Sequence, residues 1–308
     1  MKNGLLMVGA GDIGRRILAQ LPRREHPVAV TSSPHHRGAL RSLRARPVLA
    51  NLDKPRSLTR LPQNWKGLIH AAPPPTCILT DAARDPRTRN LLRSPAVRRR
   101  QAGRVLVYLS TSGVYGDCGG ARISEAQPVN PQSVRARRRV DAERVLSRAA
   151  RRGLFQLVIL RVPGIYAADR LPLARLAAGT PALLPEQDVY TNHIHAADLA
   201  RITLAALHRA RQRVRPAVRI YHASDDGEMK MGEYFDLVAD AFGLARPPRL
   251  PRSELAGAVS PMLLSFMRES RRLDNQRMKR ELRVRLQFPT AAEGVAAAAA
   301  ASCVTSQT

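Results

Sequence analysis

Cysteines, aromatic residues and long apolar runs are all scarce in this 308-residue chain. Its three cysteines, Cys77, Cys118 and Cys303, are widely spaced and odd in number, so the sequence indicates neither a disulfide framework nor a cysteine-rich zinc site. No apolar run reaches the roughly 18 residues that a membrane-spanning helix needs. Because 44% of the residues are hydrophobic, the composition is nevertheless that of a globular protein and excludes wholesale disorder.

The sequence also gives little support for a secretory signal. The apolar run that begins at Leu5 is interrupted by Asp12, and then by Arg15 and Arg16, before a plausible cleavage site. Scattered cysteines without a disulfide pattern are compatible with a reducing compartment. We therefore expect a cytoplasmic protein with no membrane partner.

Acidic residues are outnumbered, with 24 Asp and Glu against 51 Lys and Arg, which gives a net charge of +27. Only five of the basic residues are lysine, and the arginines are spread over the whole chain. A nucleic-acid footprint is a basic patch with interleaved aromatic residues, whereas the clusters at 98–100, 137–139 and 271–272 are separate and almost free of them. We expect no specific nucleic-acid partner, only salt-dependent attraction to polyanions.

Short apolar runs alternate with helical stretches along the chain. The helix after the first run has Ile13, Ile17 and Leu21 on one face and stops at Pro22. All-apolar strands separated by helices are typical of a parallel sheet covered on both faces. The sequence therefore predicts an α/β fold with a doubly wound parallel sheet. Its predicted strands are residues 5–8, 28–30, 47–49, 68–72, 105–109 and 157–160.

A glycine-rich turn directly follows the first predicted strand. Gly9-Ala10-Gly11-Asp12-Ile13-Gly14 fits G-x-G-x-x-G and opens an amphipathic helix. Gly9 permits the tight turn, Gly11 lets a pyrophosphate approach the backbone, and Gly14 lets helix and strand pack closely. The phosphate would rest on free N–H groups at the helix start, where Asp12 and Ile13 lie. The turn predicts a Rossmann-type dinucleotide site.

The end of the second predicted strand indicates which dinucleotide is bound. An NAD-preferring site has Asp or Glu there for the adenosine ribose, but this chain reads Thr31-Ser32-Ser33-Pro34-His35-His36-Arg37. Without the acid a 2′-phosphate is not repelled, and Arg37 would pair with it beside Ser32. NADP is therefore predicted in preference to NAD, and the alternative that Arg37 is simply one more arginine in an arginine-rich chain stays open.

The predicted domains follow from these patterns. Residues 1–162 form the dinucleotide-binding domain. From residue 163 the spacing becomes irregular and richer in proline, so residues 163–295 are predicted to form a small C-terminal substrate lobe, interleaved with the last sheet strands. A helix there is predicted to end at Gly243. The alanine-rich residues 296–308 are predicted to be a flexible tail.

Further motifs extend through most of the chain, and their order and spacing are specific. They are Asn51-Leu52-Asp53, His70-Ala71-Ala72, Ser110-Thr111-Ser112-Gly113-Val114-Tyr115-Gly116, Leu160-Arg161-Val162-Pro163-Gly164-Ile165-Tyr166 and Asn192-His193-Ile194-His195-Ala196-Ala197-Asp198-Leu199. With the glycine-rich turn, they resemble the extended short-chain dehydrogenase/reductases of the NAD-dependent epimerase/dehydratase superfamily. The resemblance implies that Leu52 lies near the adenine. It also implies that Ala71 and Ala72 line the nicotinamide side and that Pro163 approaches the nicotinamide.

The resemblance further implies a catalytic trio, of which one member is present. Family members have Ser or Thr at the end of the fifth strand and Tyr-x-x-x-Lys on the next helix, where the tyrosine exchanges a proton with the substrate hydroxyl. Thr111 occupies the Ser/Thr position, but Arg135 and Arg139 stand where the tyrosine and lysine are expected. Neither Tyr nor Lys occurs between Asp117 and Phe155.

This difference changes the expected chemistry. Arginine, with a pKa above about 12, cannot exchange protons near neutral pH. Arg139 would instead replace the lysine as a cation near the cofactor ribose, and Arg135 would bind an anionic substrate. Tyr115 is the nearest other phenol, although family members pack it behind the strand. The predicted protein is an atypical NAD(P)-dependent oxidoreductase or epimerase-like enzyme with a small-molecule substrate; the alternative is a catalytically silent NAD(P)-binding sensor or scaffold.

Three further groups carry weaker predictions. His193 and His195 alternate on a predicted strand and are candidates for proton transfer, although the resemblance gives His195 and Asp198 a scaffold role. No metal site is predicted.

The basic run at Arg271 is either a phosphate contact, as in relatives that handle nucleotide sugars, or a solvated helix face. Relatives pair through the helices after strands four and five, where arginines of 137–152 would here face one another. Monomer and homodimer both stay open.

Overall fold

The computed structural model describes residues 4–75, 83–212 and 217–305, so Cys77 lies outside the described residues. Its centre is a seven-stranded sheet in which all neighbouring strands are parallel. In chain order the strands are β1 (Gly4–Val8), β2 (Val28–Thr31), β3 (Arg46–Leu49), β4 (Trp65–His70), β5 (Val105–Thr111), β6 (Arg122–Ile123), β7 (Gln156–Val162), β8 (Gly164–Tyr166), β9 (Ala182–Leu183), β10 (Tyr190–Thr191), β11 (His193–His195), β12 (Val218–His222), β13 (Met229–Lys230), β14 (Arg249–Leu250) and β15 (Arg272–Leu273).

Helices cover both faces of this sheet. They are α1 (Asp12–Ala19), α2 (Arg37–Ser42), α3 (Pro86–Arg93), α4 (Pro95–Arg98), α5 (Val134–Arg151), α6 (Leu173–Ala177), α7 (Ala196–Gln212), α8 (Met231–Ala241), α9 (Leu255–Ala258), α10 (Pro261–Phe266), α11 (Gln276–Leu282) and α12 (Ala291–Thr305). Short 3₁₀ turns lie at Pro34–His36, Pro55–Arg60, Ser112–Tyr115 and Ala168–Arg170. No helix in the described ranges is both long and apolar enough to cross a bilayer.

The sheet order is β12-β7-β5-β4-β1-β2-β3. Side chains of a strand alternate between the two faces, so Leu5 and Met7 pack in the layer that contains α1 and α7, whereas Leu6 and Val8 pack in the layer that contains α3 and α5. Both layers are apolar, which explains why these strands read as uninterrupted apolar runs. The predicted doubly wound α/β fold is confirmed.

A third apolar cluster forms the smaller lobe around Tyr166, Phe235 and Val238. The chain leaves the main sheet after β7 and returns to it through α7 and β12 before it enters α8. Gly243, with φ of 63°, follows the end of α8 as the sequence predicts.

The C-terminal segment differs from its prediction as a flexible tail over residues 296–308. In the structure α12 continues through this segment to Thr305, with Val295 and Ala298 buried. Alanine has the highest helix propensity of all residues, and the small side chains let this helix pack closely on the lobe. A low-complexity composition here indicates a helix.

Candidate functional site

The glycine-rich turn between β1 and α1 has no space for side chains at two of its three glycines. Gly9 has φ of +95°, and a Cβ on it would lie 2.3 Å from the backbone N of Ala72. A Cβ on Gly14 would lie 2.4 Å from the carbonyl oxygen of Gly9. A Cβ on Gly11 would meet nothing within 4 Å. The backbone is therefore open at Gly11, where the sequence predicts that a pyrophosphate approaches.

This turn forms one wall of a cleft of about 680 Å³ at the carboxyl ends of β1 to β4. The sheet order reverses beside β1, and doubly wound folds bind ligands at such a switch point. The cleft brings together nine of the predicted cofactor-binding residues: Gly9, Gly11, Asp12, Ile13, Gly14, Ser32, Leu52, Ala71 and Ala72. Its volume, its apolar side walls and the free backbone at the start of α1 fit a dinucleotide.

Four predicted site residues do not line this cleft: Arg37, Thr111, Arg139 and Pro163. At the end of β2 the 3₁₀ turn Pro34–His36 places His36 in the wall, and Arg37 follows it as the first residue of α2. Sequence reasoning missed Arg87 and Arg170, which also line the cleft. Both come from distant segments, so no local pattern marks them.

The end of the cleft at the 51–53 loop is fixed by polar contacts. Arg87 donates to both carboxylate oxygens of Asp53, at 2.8 and 2.7 Å, and to the carbonyl of Pro73 at 2.9 Å. Hydrogen bonds from Arg87, opposed by partial burial, lower the pKa of Asp53. Asn90 donates to the carbonyl of Leu52 at 2.8 Å. These contacts fasten the 51–53 loop to α3.

Four charged side chains join the start of α1 to the 3₁₀ turn Ala168–Arg170. Asp12 accepts from Arg16 at 2.8 Å and from Arg170 at 2.6 Å. Arg16 also donates to Asp169, at 2.6 and 2.5 Å. Partial burial disfavours the ionised form of Asp12, but the two arginines outweigh it and its pKa is lowered. The carboxylate is therefore ionised at neutral pH and bound on both oxygens.

The residues of the expected catalytic trio lie beyond this cleft, around the end of β5. The Thr111 hydroxyl accepts a hydrogen bond from the N–H of Gly113 at 3.2 Å. Arg139 donates through Nη1 to the carbonyl of Leu109 at 2.8 Å and to the hydroxyl of Tyr108 at 3.0 Å. Its charge is therefore fixed next to β5, one strand from the cleft wall formed after β4.

Arg135 lies one helical turn before Arg139 and contacts the smaller lobe. Its guanidinium stacks on Phe266 of α10, 4.6 Å from the ring centre. Phe266 is one of the few large apolar side chains of the described residues that stay exposed. The position at which the resemblance implies the tyrosine thus carries a cation that packs beside an exposed aromatic ring.

A carboxylate that sequence reasoning missed lies beside Thr111. A Cβ on Gly113 would be 3.6 Å from Thr111 Oγ1 and 3.9 Å from Glu269 Oε2. Glu269 is paired with Arg271 at 2.9 Å, and Arg271 also donates to the carbonyl of Gly116 at 2.7 Å. Arg271 is buried just before β15, so its prediction as part of a solvated helix face is wrong. Its burial follows from the pairing of β15 with β6.

Tyr115 lies in a buried polar network behind β5. Its hydroxyl accepts from Arg161 at 2.7 Å and lies 2.5 Å from Nε2 of His222. Arg161 is also paired with Glu143 at 2.8 Å, and Ser110 donates to Glu143 at 2.5 Å. Burial, only partly offset by Arg161, raises the pKa of Tyr115 to about 12. A phenol so placed is a weak proton donor and does not face the cleft.

The two histidines of β11 pack among aromatic rings. His193 lies 4.1 Å from the ring of Tyr234, and His195 lies 4.0 Å from the ring of Phe288. Burial lowers the pKa of His193 to about 4, so it is neutral at physiological pH. His195 accepts the N–H of Ala197 at the start of α7, which is the scaffold position that the resemblance implies.

Asp198 has a structural role as well. Its carboxylate accepts the N–H groups of Gln287 and Phe288 at 2.8 to 3.0 Å, which fastens the segment before α12 to α7. Among the described residues no group of three or more His, Cys, Asp or Glu is placed to hold a metal ion.

Known structures share this architecture over almost the whole chain. A functionally unknown conserved protein from Silicibacter pomeroyi DSS is 27% identical, with a TM-score of 0.78, over 98% of this chain and 99% of that one. MoeE5 in complex with UDP-glucose and NAD is 19% identical, with a TM-score of 0.72 over 98% and 99%. UDP-glucuronic acid 4-epimerase from Bacillus cereus, in complex with NAD, is 17% identical, with a TM-score of 0.72 over 96% of each chain.

Sequence comparison points to the same group. No curated protein matches the chain significantly, but the family described as NAD dependent epimerase/dehydratase matches residues 5–220, well over half of the chain. This match includes β1 to β5, the glycine-rich turn and α5. The resemblance predicted from the motifs is confirmed, and the chain belongs to the NAD-dependent epimerase/dehydratase family.

Proposed function

We propose that the cleft at the carboxyl ends of β1 to β4 binds a nicotinamide dinucleotide. The observation that carries this proposal is the arrangement around Gly11: an open backbone at the start of α1, inside a cleft of about 680 Å³. Free N–H groups at a helix N-terminus attract phosphate. Leu52 and the Asp53–Arg87 pair would surround the adenosine. Ala71 and Ala72 would line the side of the cleft that leads to the nicotinamide.

NADP is the preferred form in this proposal. No acidic side chain follows β2, where a carboxylate would hold the adenosine ribose and repel a 2′-phosphate. Ser32 and His36 line this end of the cleft. Arg37, in the first turn of α2, supplies positive charge nearby, and this charge favours a phosphorylated ribose.

The proposed activity is an oxidoreductase or epimerase-like reaction on a small molecule. The dinucleotide, when bound, supplies hydride-transfer chemistry. Thr111 would orient a substrate oxygen, and the exposed Arg135 beside Phe266 would bind an anionic group of the substrate. Arg139 cannot exchange protons near neutral pH, so proton transfer would fall to water or to a substrate group.

The alternative proposal is a dinucleotide-binding protein without turnover. The two arginines at the dyad positions favour it, whereas the lobe that faces Thr111 favours the enzyme. Oxidation of NADPH by a carbonyl compound would identify an enzyme, and its absence a binding protein without turnover. In an enzyme, Thr111→Ala is expected to abolish turnover and to leave the cofactor affinity unchanged. Turnover that Thr111→Ala does not affect would contradict the assignment of Thr111.

Binding itself is tested with a valine at Gly11. Gly11→Val adds a Cβ that meets no protein atom within 4 Å, and its side chain would occupy the space proposed for the pyrophosphate. We expect a loss of NADPH affinity of about tenfold or more, with an unchanged melting temperature. Gly257→Val, at an exposed glycine of α9 that also has open space, is the matched control. Equal affinities of both variants and wild type would place the ligand elsewhere.

A further inference from the structure

An acidic side chain occupies the position where the phosphate is expected. Asp12 is the first residue of α1 and lines the cleft. The start of a helix attracts negative charge, but the Asp12 carboxylate and a pyrophosphate placed beside it repel each other. A dinucleotide site with this residue needs a cation that compensates for the carboxylate.

Arg170 is placed to be that cation. It belongs to the 3₁₀ turn Ala168–Arg170, which follows β8 at the start of the smaller lobe, and its side chain lines the cleft. It donates through Nη1 to Asp12 at 2.6 Å and through Nε to the carbonyl of Ile165 at 3.4 Å. The guanidinium has five N–H donors, so donors remain for a second anion.

The neighbouring ion pair holds this turn in place. Asp169 is bound by Arg16 through both carboxylate oxygens, at 2.6 and 2.5 Å. Arg16 also donates through Nε to Asp12 at 2.8 Å, and it does not line the cleft. The two arginines therefore differ: Arg16 fastens the turn to α1, and Arg170 faces the ligand space.

We propose that Arg170 is a phosphate ligand, which the smaller lobe contributes to the dinucleotide site. One part of its guanidinium binds Asp12, and the other part binds the pyrophosphate. The inference rests on the proposed dinucleotide binding. It assigns Asp12 the role of positioning Arg170 across the glycine-rich turn. It also brings the turn after β8 next to the proposed cofactor site.

The test is the equilibrium affinity for NADPH and for ADP-ribose, measured by calorimetry with purified variants of the full chain. Arg170→Gln is expected to weaken both ligands about tenfold or more, because a charge-assisted phosphate contact is lost. Arg170→Lys keeps the charge and is expected to lose less. Arg148→Gln is the control for loss of one positive charge, since Arg148 is exposed on α5 and does not line the cleft, and its affinities are expected to stay within about threefold of wild type.

A double variant separates phosphate binding from simple neutralisation of Asp12. Asp12→Asn removes the repulsive charge but keeps a side-chain oxygen that can accept from Arg170, so it is expected to bind at least as tightly as wild type. Asp12→Asn with Arg170→Gln is expected to stay about tenfold or more weaker than Asp12→Asn alone. Full recovery in the double variant would show that Arg170 only offsets Asp12, and would overturn the inference.

The remaining outcomes are equally decisive. Wild-type affinity in Arg170→Gln, with Gly11→Val still defective, would overturn the role of Arg170 and leave the proposed function intact. Absence of dinucleotide binding in the wild-type protein would overturn both. Unchanged melting temperatures of the variants exclude loss of folding as the cause of weaker binding.

Discussion

At the scale of single residues, two arginines stand at the positions where the resemblance to the family implies the proton-transfer pair. Arg139 is fixed by the carbonyl of Leu109 and the hydroxyl of Tyr108, and Arg135 packs on Phe266. A guanidinium can hold an anion or neutralise a phosphate, but it cannot replace a tyrosine in proton transfer. We therefore propose that these arginines bind and orient a ligand.

Asp225, on the loop after β12, is a residue whose burial predicts a measurable pH effect. Burial raises its pKa to about 8, with the nearby acids Asp226 and Asp198 adding to the effect and the N–H of Gly227 opposing it. The carboxyl is therefore protonated in the folded chain near neutral pH. In the unfolded chain it ionises near its ordinary pKa of about 3.9.

The sign of the effect follows from proton binding. Between pH 4 and 8 the folded state holds the proton of Asp225 and the unfolded state does not, so this residue lowers the free energy of unfolding as pH rises. Asp225→Asn keeps the oxygen that accepts from Gly227 and does not titrate. We expect its stability relative to wild type to increase across this range, by up to about 1.4 kcal/mol per pH unit. A constant difference in urea unfolding between pH 5 and 8 would contradict the burial of an uncharged carboxyl.

At the scale of elements, the packing of α12 against the smaller lobe requires a glycine at position 294. A Cβ on Gly294 would lie 2.5 Å from both Cε2 and the hydroxyl oxygen of Tyr166. That ring cannot move freely, because its hydroxyl donates to the carbonyl of Thr290 and its faces pack near His193 and His195. Glycine is therefore needed for the helix to lie against the lobe.

Two glycine substitutions are expected to act in opposite directions. Gly294→Ala should lower the free energy of unfolding by about 1–3 kcal/mol, since overpacking outweighs the better helix propensity of alanine. Gly257→Ala, in α9 with open space, should raise it by up to about 1 kcal/mol. Urea unfolding measures both. A stabilised Gly294→Ala variant would show that α12 does not pack on Tyr166 as described.

Sequence reasoning found the sheet because buried parallel strands have an unambiguous apolar pattern. It missed β12, where Arg219 interrupts the pattern and pairs with Glu281. The glycine-rich turn was predictable because its chemistry is local. The contacts of Asp12 with Arg170 and of Arg271 with the carbonyl of Gly116 join residues more than 150 positions apart, and only the folded chain brings them together.

At the scale of the whole molecule, the net charge of +27 complicates any measurement of phosphate binding. An exposed stripe on α5 consists of Arg144, Arg148 and Arg151. None of the three forms an ion pair with another residue of the described range 83–212. Such charges attract any polyanion at low salt, and the attraction is screened within about 10 Å at 0.1 M salt and about 3 Å at 1 M. Binding at the proposed cleft site, which combines backbone N–H groups with apolar walls, is expected to be far less sensitive to salt.

Calorimetric titration of the wild-type chain with NADPH and with NADH, at 0.1 M and 1 M salt, tests the central claim most directly. The proposed site predicts saturable binding of one dinucleotide per chain that persists at 1 M salt and is tighter for NADPH. Binding that disappears at 1 M salt, or that shows no fixed stoichiometry, would mean that the excess arginines merely attract phosphate. That result would contradict dinucleotide recognition at Gly11.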